Sequence, residues 1–125
     1  MSDTYPNQDL DLTLLNEIAD GSNEFMVESI DMFMQQTPEL LQLINDSITQ
    51  KDWAVAGASA HKLKPTLGFF GMLDTQELIQ QIEHACKEGG KDPGNIITKF
   101  NQVKSTVAAN IITLTKLRAE LAATL

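Results

Sequence analysis

Apolar side chains recur along this chain at spacings of three and four, the mark of helices that each bury one face. No stretch alternates with the period of two that a half-buried strand needs. Met26, Ile30, Phe33, Thr37, Leu40, Ile44 and Ile48 share one face of a long helix that Ser22 or Asn23 can cap. Pro38 lies inside that pattern, and because the stripe runs on in register past it, the pattern predicts one kinked helix rather than two meeting near Thr37. Asp52 is placed to cap the next helix, in which Trp53, Ala56, Ala60, Leu63, Leu67 and Phe70 form the stripe and which ends near residues 69–71. Asp74 with Glu77 makes a capping box for a further helix whose inner face is Leu78, Ile82, Ala85 and Cys86, stopped by Gly89-Gly90. Asp92-Pro93 opens the last helix, with Ile97, Phe100, Val103, Val107, Ile111, Leu114 and Leu121 on one side. Ahead of these, a short helix capped by Asp9 or Asp11 presents Leu14, Leu15 and Ile18 and ends at Asp20-Gly21, while residues 1–8 read as a loose leader.

Four substantial helices on short links imply an all-α domain over residues 9–125, an antiparallel up-and-down four-helix bundle with a short additional N-terminal helix. At 125 residues the chain has room for one real core and little more.

The third helix has a second face of another kind. Opposite its stripe lie Ala54, Ala58, His61, Pro65 and Gly68, with Gly57, Lys62 and Lys64 beside them. A lone helical histidine is most often a solvated surface residue. Here the ring is flanked by very small residues, an ammonium sits one turn on at Lys64, and Pro65 cannot donate to the His61 carbonyl, so the helix bends or that carbonyl is freed. Neutral imidazole is a good nucleophile near neutral pH, and a phosphoryl group on it would need a nearby cation. Lys64 is the obvious one; Lys62 projects about 100° away.

Composition narrows the partners. Nine Lys and Arg against 17 Asp and Glu give a net charge of −8, which repels phosphate backbones and anionic lipid, so neither nucleic acid nor a membrane is expected. The single Cys86 suits a reducing compartment, and the start of the chain lacks a basic-then-apolar signal, which makes the cytoplasm the expected location. His84 reads as solvated surface, Met26, Met32, Met34 and Met72 as core or near-core filler, and Asp3, Asp9, Asp11, Glu24, Glu28 and Asp31 as caps and solvated faces. No metal or other cofactor is expected, nor a nucleotide site.

Ala60-His61-Lys62-Leu63-Lys64, with Gly71 ten residues beyond the histidine, resembles the motif of histidine-containing phosphotransfer (HPt) domains: His-x-Leu-Lys-Gly, then small residues and a glycine. The likeness extends over residues 9–121. It implies a phosphorelay intermediate in which His61 takes a phosphoryl group from a receiver-domain aspartate and passes it to another receiver, with Lys64 stabilising that group. By the same resemblance Gly68 and Gly71 permit close approach and a tight helix exit, and Gln36 is the match for a glutamine that some members hold against the histidine ring, although an ordinary exposed glutamine reads as well. The docking surface would comprise Ala54, Gly57, Ala58, Lys62, Pro65 and Gly68. Pro65 stands where the family has glycine. The implied partners are response-regulator receivers, a hybrid sensor histidine kinase or both, met by a monomer that is a phosphocarrier and not an enzyme. The rival reading is a helical adaptor that binds a partner through the His61 face without being phosphorylated.

Overall fold

The computed structural model describes residues 3–125. A two-residue strand β1 (Thr4–Tyr5), a single 3-10 turn (Pro6–Gln8) and β2 (Leu10–Asp11) precede helices α1 (Thr13–Ala19), α2 (Asn23–Thr49), α3 (Trp53–Phe69), α4 (Leu73–Lys87) and α5 (Pro93–Ala122). Helices α2 to α5 form an antiparallel up-and-down four-helix bundle: each packs on the next and α5 closes back on α2. Ile30, Phe33, Ile44, Ala60, Leu63, Leu67, Ile79, Ile82, Val103 and Leu114 fill the space between them.

Local chemistry sets the helix ends. Ser22, Asp52 and Asp92 accept the backbone N–H three residues on, at Phe25, Val55 and Asn95, and so begin α2, α3 and α5. Both prolines are carried inside unbroken helices, Pro38 in α2 and Pro65 in α3. At 30 residues, α5 is about 45 Å long. Its C-terminal part is covered by α1 and the hairpin, with Leu117 buried beside Leu12 and Met26.

Several expectations are corrected. The stretch read as a loose leader is ordered where it is described: Thr4 pairs with Asp11 and Tyr5 with Leu10, and the Asp3 carbonyl accepts the Leu12 N–H; residues 1 and 2 lie outside the described residues. Leu15 and Ala19 bury α1, leaving Leu14 and Ile18 exposed, because Leu10 and Leu12 from the hairpin already occupy the core at that end. The inward stripe of α4 is Thr75, Ile79, Ile82, Glu83 and Cys86, with Leu78 and Ala85 only half-buried. In α5 the stripe begins at Ile96 rather than Ile97 and runs through Asn110, a buried amide that donates to the Asp9 carbonyl at 3.2 Å.

The predicted capping box does not cap α4. Asp9 does so from 65 residues away, its carboxylate accepting the Asp74 N–H (3.1 Å), the Thr75 N–H (2.7 Å) and the Thr75 hydroxyl (2.7 Å). Asp9 has φ 53°, a left-handed conformation that aspartate tolerates better than most residues. Gly71, at φ 63°, ends the turn after α3 where any Cβ would strike the Asp11 carbonyl. The hairpin therefore clasps the α3–α4 corner, and the Asp11 N–H donates to the Phe70 carbonyl.

Candidate functional site

His61 lies in the middle of α3, with its side chain 67% exposed. Ala60, Leu63 and Leu67 fix the rotation of the helix by burying the opposite face, which turns position 61 outward. Ala54, Ala58, Lys62 and Pro65 are exposed around it, and Lys64 and Gly68 are half-buried. Gly57 is not part of that surface. It is buried where α3 crosses α4, and a Cβ there would lie 3.2 Å from the Cys86 Cβ, so its smallness serves helix packing. Gly68 leaves space for Gln76, whose amide donates to the Lys64 carbonyl at 2.9 Å.

The ring is held by a residue that the sequence pattern assigned no role. Glu83 of α4 is 1% exposed, and its Oε2 lies 2.9 Å from His61 Nδ1. Lys64 Nζ approaches Oε1 at 2.5 Å, an ion pair without the alignment of a hydrogen bond, and Lys87 Nζ approaches Oε2 at 2.8 Å. Burial pushes the Glu83 carboxyl up, but the contacts of Lys64, Lys87 and His61 together outweigh it and hold the carboxyl at about 2. An ionised carboxylate only accepts, so His61 donates from Nδ1, and in the neutral imidazole the lone pair is then at Nε2. The exposed ring is thus set as a nucleophile, with a buried anion behind it to offset positive charge acquired by the imidazole.

Gln36 makes no hydrogen bond to the imidazole. It lines an apolar groove between α1, α2 and α3 with Ile18, Phe25, Met32, Thr66 and Phe69. Met32, read from sequence as core or near-core filler, is 56% exposed on this groove. His84 points to solvent as expected. Cys86 is buried and free, and burial pushes its thiol up, away from the reactive thiolate. Among the described residues no group of three or more His, Cys, Asp or Glu is placed to hold a metal ion, and no helix is long and apolar enough to cross a membrane.

Glu83 had one legible signal. With Ile79, Ile82 and Cys86 it keeps the three-and-four spacing of a buried face, so a charged residue falls on a core stripe.

A family model described as "Hpt domain" matches residues 28–123. No curated protein matches the chain. Among solved structures, the crystal structure of histidine-containing phosphotransfer protein B (HptB) from Pseudomonas aeruginosa PAO1 superposes with a TM-score of 0.81 at 18% identity, over 94% of this chain and 98% of that one. At that identity the likeness speaks for the fold.

Proposed function

The chain belongs to the Hpt domain family and has a phosphorelay histidine-phosphotransfer role; from that premise we propose that His61 is the residue that carries the phosphoryl group. The observation that carries this reading is the exposed imidazole whose Nδ1–H is tied to buried Glu83, which leaves Nε2 free to attack. Proteins of this family are phosphotransfer carriers, not classical enzymes, and work with receiver domains. Here the partner would supply the aspartyl phosphate together with its own acidic pocket, and this chain a positioned nucleophile and the cations Lys64 and Lys87.

The receiver would meet the small-residue surface of Ala54, Ala58, Pro65 and Gly68, with Lys62 at its edge and the apolar groove at Phe25 and Phe69 extending the contact. Gly71 would act one step back, fixing the exit of α3 against the hairpin. Pro65, where glycine is usual, leaves α3 helical and removes only the N–H that the His61 carbonyl would have accepted.

Incubation with a ³²P-labelled receiver domain tests the reading. Label that is acid-labile and alkali-stable is expected on the wild type and absent from His61→Gln. An unlabelled wild type would overturn the assignment and leave the adaptor reading; label on His61→Gln would move the site elsewhere.

A further inference from the structure

Glu83 is met by more cations than its single charge requires. Lys64 takes Oε1, while Lys87 and the His61 Nδ1–H both take Oε2, at 2.8 and 2.9 Å. The Lys87 ammonium therefore lies no farther from the ring nitrogen than those two distances laid end to end. The lysines differ in freedom. Lys64 is 22% exposed and held against the bundle, whereas Lys87 is 63% exposed and stands in the last turn of α4. Glu83 itself is buried, so Lys87 can leave it without stranding a charge only when another positive group takes up the freed oxygen. Lys87 borders a groove between α3 and α4 whose α3 wall is Trp53, Ala54, Gly57 and Ala58, and the part of that wall nearest His61 in the helix is made of the small residues Gly57 and Ala58.

We propose that Lys87 is a second phosphoryl-binding cation: when Nε2 is phosphorylated, its ammonium leaves Glu83 Oε2 for a phosphoryl oxygen and yields that carboxylate oxygen to the Nδ1–H. This rests on the reading of His61 as phosphoacceptor. In the transfer, the Nε2 lone pair forms the N–P bond and the P–O bond to the donor carboxylate breaks, its electron pair leaving with the carboxylate. The Nδ1 proton stays, so the ring becomes positive while the phosphoryl group brings nearly two negative charges. Before transfer, Lys87 competes with His61 for Oε2; afterwards the two demands separate. The positive ring needs all of Oε2, the phosphoryl oxygens need an ammonium, and one short movement of Lys87 meets both. The charged groups facing the phosphoryl position are Lys64 from α3 and Glu83 and Lys87 from α4, with Lys62 at the edge of the same face. The helix-end position of Lys87 also suits the α4 dipole, so a purely structural role is the alternative to be beaten.

The test uses phosphoramidate, a small phosphoryl donor that needs no partner, and ³¹P NMR of the phosphohistidine as pH is varied. If wild type gives no phosphohistidine signal, or His61→Gln gives the same one, the reading of His61 fails and Lys87 falls with it. With the wild-type signal in hand, Lys87→Met is expected to raise the phosphoryl titration midpoint by about half a pH unit, the effect of removing an ammonium about 5 Å away in a watery setting. Lys87→Arg restores it, and the shift persists when Lys87→Met is made in a Glu83→Gln background. An unmoved midpoint in a folded Lys87→Met protein overturns the proposal. So does a shift that Lys87→Arg fails to reverse, or one that vanishes with Glu83→Gln, because a lysine that only neutralises Glu83 has nothing left to act on there.

Discussion

Glu83 decides what His61 can do, and it does so by being both buried and charged. Its folded pKa of about 2 lies below the ordinary 4.5, so its pairing stabilises the fold fully above pH 4.5, and that stability is lost as pH falls from 4.5 toward 2. By pH 3 the loss from this group is about 2 kcal/mol. Asp11, lowered by its bonds from Thr13, and Asp31, lowered by Arg118, add to acid sensitivity, so the comparison that isolates Glu83 is with Glu83→Gln. Urea unfolding at pH 6 and pH 3 should show wild type losing about 2 kcal/mol more than Glu83→Gln; equal losses would mean the carboxylate is not paired in solution. For Glu83→Ala, which strands half-buried Lys64 and releases the ring, a cost of about 1–3 kcal/mol and slower labelling of His61 are expected. The histidine, its lysine and the small residues around them were readable in sequence because they share one helix and a local motif. Their anion was harder to see, because it stands 22 residues on, on another helix, and its one signal, a glutamate in phase with Ile79, Ile82 and Cys86, can be read only once the phase of α4 is known.

Between elements, the same contrast separates what local pattern reveals from what the assembled fold adds. The caps at Ser22, Asp52 and Asp92 were legible because each bonds its own helix three residues on. The α4 cap was assigned to Asp74 and Glu77 for that reason, yet Asp9 is brought there by the hairpin, and no local pattern reports a contact 65 residues long. Met72 is buried at the position before α4, so the corner is closed from outside rather than by its own side chains. Asp9→Ala is expected to cost about 1–2 kcal/mol, read as a lowered thermal midpoint, and to speed amide exchange at Asp74 and Thr75 selectively. Unchanged exchange at those two amides would show that the cap does not form in solution. Because Gly71 packs on Asp11 at the same corner, loosening the hairpin should also slacken the exit of α3, but not the central turn that carries His61 and is held by Leu63, Leu67 and Ala60.

Across the whole molecule, charge and apolar exposure are distributed unevenly in a way that bears on how a receiver would be recognised. A chain of net charge −8 gathers Lys62, Lys64 and Lys87 about His61 and leaves Phe25, Met32 and Phe69 uncovered beside them. The ring of four helices was readable from their stripes, since each stripe needs a neighbour to cover it. The groove was not, because Phe25 and Phe69 lie off the stripes of their own helices and only the packing of α1, α2 and α3 brings them together. Phe69 stands eight residues beyond His61 on α3, about 80° round the helix, close enough for one partner to cover both. Replacing it with serine separates docking from chemistry. Phosphoramidate labelling reports on His61 alone, whereas transfer from a phosphorylated receiver also requires the groove. Truncating a central aromatic contact commonly costs about 1–2 kcal/mol of binding, so Phe69→Ser should raise the receiver concentration needed for half-maximal transfer about tenfold. Because Phe69 is exposed, the fold should lose no more than about 1 kcal/mol. If transfer kinetics are unchanged, the receiver does not use the groove and the contact is confined to the small-residue face of α3; if labelling and transfer fall together, the substitution has disturbed the helix that carries His61.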